Sequence, residues 1–235
     1  MSTKTFRVKA TALMLVGAGC ASVFEMGGGE VASAATTINP SPTPFPGPFT
    51  SKIEGFSAYD GQTKCIRKAK PGVVAFEKFV LRKLKKASFG IARSCSGSSV
   101  SEHKEGRAID WHMNAYNWRD RQQVKKLFRY LFKTDWWGNP YARARRLGIM
   151  YIIWNKKMWR AYRPFDGWQK YEGSSPHTDH VHISFARAGA NGVTSFWTGE
   201  VAKLPEAWIP GWPPEPTPTP PNQGKTTGRF AGEDT

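Results

Sequence analysis

Ser101-Glu102-His103-Lys104-Glu105-Gly106-Arg107-Ala108-Ile109-Asp110 is the stretch from which the rest of this 235-residue chain is read. It sets a histidine and an aspartate seven positions apart, with a glycine between them. Gly106 reads as a turn, and Ala108–His112 as a short apolar strand that carries Asp110. A second stretch, His177-Thr178-Asp179-His180-Val181-His182, lies far downstream. The chain has five histidines. Three fall in the second stretch; His103 and His112 fall in or beside the first. Histidines gathered into two short segments point to one shared site.

Outward from these stretches, the pattern predicts an α+β fold. Residues 71–86 read as a helix with Pro71 in its first turn, and Val73, Phe76, Phe79, Val80 and Leu84 at helical spacing. Residues 89–92 read as a short strand and 94–101 as a Ser/Gly-rich loop. Residues 119–132 form a second amphipathic helix, with Val124, Leu127, Phe128 and Leu131 inward. Residues 141–147 continue as a third helix, stopped by Gly148. Ile149–Trp154 is an apolar, β-branched run, hence a buried strand. Residues 155–176 read as a turn at Asn155-Lys156 followed by loop, and 181–185 as a last strand. The order implies a small, largely antiparallel sheet with flanking helices. All ten tryptophans lie at or beyond Trp111. Trp154 reads as core, whereas Trp159 and Trp168 suit either a core or the wall of a groove. Glu102 and Glu105 read as solvated charge, His112 as a packed or surface histidine, and Asp60 and Asp166 as turn residues.

The ends differ in composition from the middle. Residues 1–34 read as a signal peptide: Lys4, Arg7 and Lys9 lead, an uncharged apolar run follows, and Ala32-Ser33-Ala34 closes it. The run is too short for a membrane span, which needs about 20 apolar residues. A lipoprotein signal ending at Cys20 is the alternative, disfavoured by Gly17. Residues 35–50 carry proline at every second position from Pro40 to Pro48 and read as an extended spacer. Residues 204–235 read as a Pro-rich disordered tail. One domain is left, 51–203, long enough for a single core.

Export decides the cysteines. With Cys20 removed, Cys65 and Cys95 remain, an even pair that favours one disulfide in an oxidising compartment. Its loop of about 30 residues gives on the order of 3 kcal/mol in the chain-entropy model. The formal charge is +16, and +15 once three basic and two acidic leader residues are gone. Such a chain seeks polyanions, which outside a cell are cell-wall polymers, acidic lipids or stray nucleic acid. The expected partner is peptidoglycan or another anionic wall polymer. No specific nucleic acid, no membrane span in the mature chain and a monomeric state are expected with it.

The chemistry follows from the residue types. Zinc takes neutral imidazole nitrogens and a carboxylate and, in hydrolases, keeps one position for water. His103 and Asp110 converge across Gly106. If residues 179–182 are extended, His180 and His182 point to one face, so spacing leaves open which of them binds metal. Asp179 lies beside them, placed to take a proton from water. His177 is placed to hold charge on an oxyanion. A magnesium nuclease would need a second carboxylate pair, which these segments lack.

Ser101-x-His103-x-x-Gly106-x-Ala108-x-Asp110 followed by His177-x-Asp179-x-x-His182 resembles the zinc D-alanyl-D-alanine carboxypeptidase superfamily, which includes peptidoglycan DD-peptidases and the hedgehog-type domain. Ser-Glu-His-Lys-Glu-Gly-Arg-Ala and Pro-His-Thr-Asp-His-Val-His further resemble signatures of an exported, actinobacterial-type member. The resemblance implies zinc on His103, Asp110 and His182, a general base at Asp179 and a supporting histidine at His177. It implies a substrate-binding arginine, for which Arg93 in Gly90-Ile91-Ala92-Arg93-Ser94 is the candidate. Relatives with a His-x-His form use its first histidine as helper, which is His180 here, so the base stays open between Asp179 and His180. The loop from Arg93 to His103 is shorter than the family's and carries Cys95. The implied function is an exported zinc-dependent metallopeptidase (a hydrolase) acting on peptidoglycan stem peptides as a DD-carboxypeptidase or endopeptidase. The alternative is a non-catalytic, zinc-containing wall-binding module of the same fold.

Overall fold

A computed structural model describes residues 49–84, 89–207 and 209. The expected signal peptide, Cys20, most of the proline spacer and the tail from 210 lie outside the described residues. So do the last residues of the expected 71–86 helix.

The sheet is built on alternation. β2 (Ala108–His112) sends Ile109 and Trp111 to one face, and Asp110 and His112 to the other. β6 (His180–Phe185) does the same, with Val181, Ile183 and Phe185 inward and His180, His182 and Ser184 on the opposite face. These two strands pair antiparallel in a register that sets Asp110 directly opposite His182 and His112 opposite His180. A one-residue slip would send every one of these polar side chains into the core, so burial of the apolar face fixes the register. β1 (Phe89–Gly90) pairs with β2. On the other side of β6 lies β3 (Ile149–Trp154), then β4 (Lys157–Arg160), then β5 (Gln169–Lys170). All pairs are antiparallel, in the order β1-β2-β6-β3-β4-β5.

Two helices supply much of the cover for the apolar face. α1 (Pro71–Phe79) starts on Pro71 and buries Val73, Phe76 and Phe79. Its α geometry ends before the expected 86, and the chain tightens into a 3₁₀ turn at Leu81–Lys83. Phe79, Val80 and Leu81 are all buried; three consecutive residues span about 200° of an α-helix, more than one stripe can bury. α2 (Trp118–Phe132) is capped by Asn117, whose side chain accepts from the Asp120 amide. Val124, Leu127 and Leu131 join Ile109, Trp111, Ile152, Val181 and Ile183 in the core. Each such side chain contributes about 1.5–3 kcal/mol when fully buried.

Several expectations are corrected. Residues 155–176 are not plain loop: Asn155 and Lys156 take positive φ in a tight hairpin turn, β4 follows with Trp159 in the core, and β5 closes the sheet edge. Two short helices beyond the last expected strand, α4 (Arg187–Asn191) and α5 (Ser195–Thr198), are added to the third helix, α3 (Ala142–Arg146). Residues on either side of 51–203 also pack on these elements. Phe49 packs on Phe196, and the Ala207 amide donates to the Phe56 carbonyl. Ile209 is buried.

Glu102 and Glu105 are buried rather than solvated. Glu105 accepts from the Thr63 and Lys64 amides and from Arg107. Arg107 in turn donates to the Phe185, Asp60 and Gly61 carbonyls. Burial pushes the Glu105 carboxyl up, but the Thr63 and Arg107 hydrogen bonds outweigh it and hold the group below the usual carboxylate range. The pair ties residues 60–64 to the turn behind His103. Asp60 takes part too, by pairing with Arg187 and accepting from its amide.

Candidate metal centre

His103 sits in a one-turn 3₁₀ helix, Glu102–Glu105, closed by Gly106 in the left-handed conformation at φ 67°. The Gly106 amide donates to the His103 carbonyl and its own carbonyl accepts from Lys70. A β-carbon at this position would run into the Lys68 carbonyl. Gly106→Ala is therefore expected to cost about 3 kcal/mol in urea unfolding, from left-handed strain plus the clash. A loss below about 0.5 kcal/mol would mean the turn is not held as described.

The turn brings His103 beneath the polar face of the β2–β6 pair. His103 Nε2 lies 3.0 Å from Asp110 Oδ1 and 3.2 Å from His182 Nδ1. His182 Nδ1 lies 2.9 Å from the same Asp110 oxygen. Ligands bound at 2.0–2.1 Å around a tetrahedral ion sit about 3.3 Å apart, so this triangle has the size of a metal site. His103, Asp110 and His182 form a group that could hold a metal ion. Of His180 and His182, the register places His182 directly across from Asp110, and His182 is the one in this group.

Each ligand is held from behind. His103 Nδ1 donates to the Ile91 carbonyl at 2.7 Å. A carbonyl only accepts, so Nδ1 carries a proton and Nε2 is the ring nitrogen left for a metal. His182 Nε2 lies 2.9 Å from Ser184 Oγ, which leaves Nδ1 for a metal. The Tyr151 ring stacks on His182 at 5.5 Å, and its hydroxyl donates to Glu102 Oε2 at 2.6 Å. Sequence reading missed Tyr151, Ser184 and Glu102. Ser184 was within reach, because it continues the alternation of His180 and His182. Tyr151 was hidden in an apolar run. Ser184→Ala is expected to weaken metal affinity about tenfold, within the range for outer-shell hydrogen-bond partners of a ligand histidine. Metal competition against a chelator reads this; unchanged affinity would make the serine a packing residue only.

The remaining candidates divide. His180 turns Nε2 toward Asp110 Oδ1 at 3.6 Å, and its Nδ1 lies 2.8 Å from Asp179 Oδ1. The Asp179 side chain is itself 79% exposed. Slight burial pushes its carboxyl up, but the hydrogen bond from His180 brings it below the usual range. Arg93 is 56% exposed, with Nη2 3.6 Å from Asp110 Oδ2. His177 is buried beside His180 and His182, with ring centroids at 4.6 and 5.7 Å. Its Nδ1 donates to the Ser175 carbonyl at 2.7 Å. Burial pushes its pKa down to about 4 against that bond, aided by His182 and His180. Neutral, with Nδ1–H committed, His177 presents Nε2 as an acceptor. The segment is fixed by the β3–β4 turn, where the Asn155 and Lys156 amides donate to the His177 and Pro176 carbonyls. His112 is exposed, 6.3 Å from the His180 ring.

For Asp110, burial pushes the carboxyl up, but hydrogen bonds and charge from His103 and His182 win and hold it well below the usual range. Cys65 and Cys95 form a disulfide, with Cα atoms 5.8 Å apart. With Lys104 Nζ donating to the Gly97 and Ser99 carbonyls, it pins the short loop between Arg93 and His103. No described helix is long and apolar enough to cross a membrane.

Among known proteins, the model of the family described as VldE, C-terminal domain matches residues 65–182. That span begins at the first disulfide cysteine and ends at the last ligand histidine. No curated protein and no solved structure matches the chain.

Proposed function

Because the chain belongs to the VldE C-terminal domain family, with the whole ligand group inside the matched span, we propose that it is an exported zinc peptidase that hydrolyses peptidoglycan stem peptides. One observation carries the reading. Two imidazole nitrogens and a carboxylate oxygen converge on the polar sheet face, flanked by a histidine–carboxylate pair and by a guanidinium. Three protein ligands with nitrogen and oxygen donors leave a position for water, the pattern of hydrolytic rather than structural zinc. Zinc supplies, when bound, a Lewis acid that polarises a carbonyl and acidifies water.

The chain's own residues do the rest. His180 takes the proton from the attacking water, since its Nε2 faces the ligand group while Asp179 holds Nδ1. Asp179 thereby orients the base, in preference to acting as one. Arg93 meets the negative charge that develops on the peptide carbonyl, or a terminal carboxylate of the stem. His177, an acceptor in its neutral form, orients substrate N–H groups; oxyanion stabilisation falls to Arg93.

The disulfide fits an oxidising compartment, and the charge of +15 left once the leader's three basic and two acidic residues are removed favours retention on an anionic wall. Mass spectrometry of muropeptides before and after incubation with zinc-loaded protein tests the reading. The expected result is loss of terminal D-alanine or opening of cross-linked dimers, abolished by chelation. Unchanged muropeptides with one zinc bound would instead make the domain a wall-binding module of the same fold.

A further inference from the structure

α2 carries two parallel rows at four-residue spacing. Val124, Phe128 and Phe132 form an apolar row, and Arg121, Lys125 and Arg129 form a basic one beside it. Successive members of a row are about 6 Å apart along the helix. The rows border two adjoining depressions of about 320 and 570 Å³, which share Lys125 and Phe128. The floor is aromatic: Phe128 lies 4.8 Å from Trp168 and 5.9 Å from Phe132, all three half-buried. Lys157 of β4 adds a cation from the opposite wall, and no Asp or Glu among the described residues lines either depression. Like charges four apart on a helix destabilise it by about 0.2–0.5 kcal/mol per pair, a cost set against the Arg121 hydrogen bond to the Ala115 carbonyl and the favourable last-turn position of Arg129.

We propose that this trough is a second binding site and that it takes an anionic glycan, with sugar rings on the aromatic floor and carboxylates on the basic row. Charge complementarity selects an anion. The wall is the side of a helix whose backbone groups are already hydrogen-bonded, so it offers rings and cations rather than an edge for an extended peptide. The trough ends at the turn that fixes the His177 segment: Asn155 lines one end, and its amide donates to the His177 carbonyl at 2.8 Å. On the peptidase reading, on which this inference rests, the occupant is peptidoglycan, with its sugar rings on the aromatic floor and the carboxylates of its stem peptides on the basic row.

Co-sedimentation with peptidoglycan sacculi stripped of phosphate polymers tests this. Lys125→Glu/Arg129→Glu, checked by thermal unfolding, is expected to lower the bound fraction at least tenfold at low salt. Hyaluronate, which has rings and carboxylates, is expected to compete. Chitin hexasaccharide, which lacks charge, and polyglutamate, which lacks rings, are not. Wild-type sedimentation by the folded double variant overturns the proposal. So does competition by polyglutamate equal to that of hyaluronate, or by isolated teichoic acid better than hyaluronate. The assay reads the trough whether or not the metal centre cleaves anything, so the two ideas fail separately.

Discussion

Asp110→Ala is expected to leave a folded protein that no longer retains zinc. Asp110 Oδ1 is the shared vertex of the ligand triangle, within 3.0 Å of His103 and 2.9 Å of His182. Its removal leaves two imidazoles, and zinc sites of this kind rest on three protein ligands. Affinity should fall by at least about 10³-fold, or roughly 4 kcal/mol. The fold should survive, because Asp110 points away from Ile109 and Trp111, the residues that pack the core from the same strand. Calorimetric titration of the metal-free protein checks the first statement and urea unfolding the second. Stoichiometric, tight zinc in the variant would exclude Asp110 from the ligand set.

His180→Ala and Asp179→Asn should separate the base from its support. His180 faces the ligand group, while Asp179 is exposed and bonded to the outer nitrogen of that ring. A carboxylate held below its usual range is also a weaker proton acceptor. His180→Ala should therefore lower kcat by about 10²–10⁴, the usual contribution of a general base, with zinc retained. Asp179→Asn should cost about tenfold, as expected for a residue that acts by orienting another. The reverse order, with the asparagine variant worse, would return the role of base to the carboxylate.

The site was legible in the sequence to the extent that alternation and turns write it there. Asp110, His180 and His182 alternate with Trp111, Val181 and Ile183, so burial of one set forces the other onto a common face. Gly106 marked the reversal that returns His103 to them. The pairing register was not legible, because it depends on which strands meet, and it decides that His182 rather than His180 stands directly opposite Asp110. Nor was the burial of Glu102 and Glu105, whose partners Tyr151, Thr63, Lys64 and Arg107 come mostly from distant segments. β4 escaped notice because Trp159 is its one fully buried residue, too little apolar pattern to distinguish it from loop.

Zinc K-edge X-ray absorption of the native protein tests the central claim most directly. The predicted spectrum shows one zinc per chain with two imidazoles and light oxygen scatterers at about 2.0–2.2 Å, four-coordinate, with an exchangeable water. Sulfur scattering near 2.3 Å, a third imidazole in place of the carboxylate, or the absence of stoichiometric zinc would contradict a hydrolytic centre on His103, Asp110 and His182.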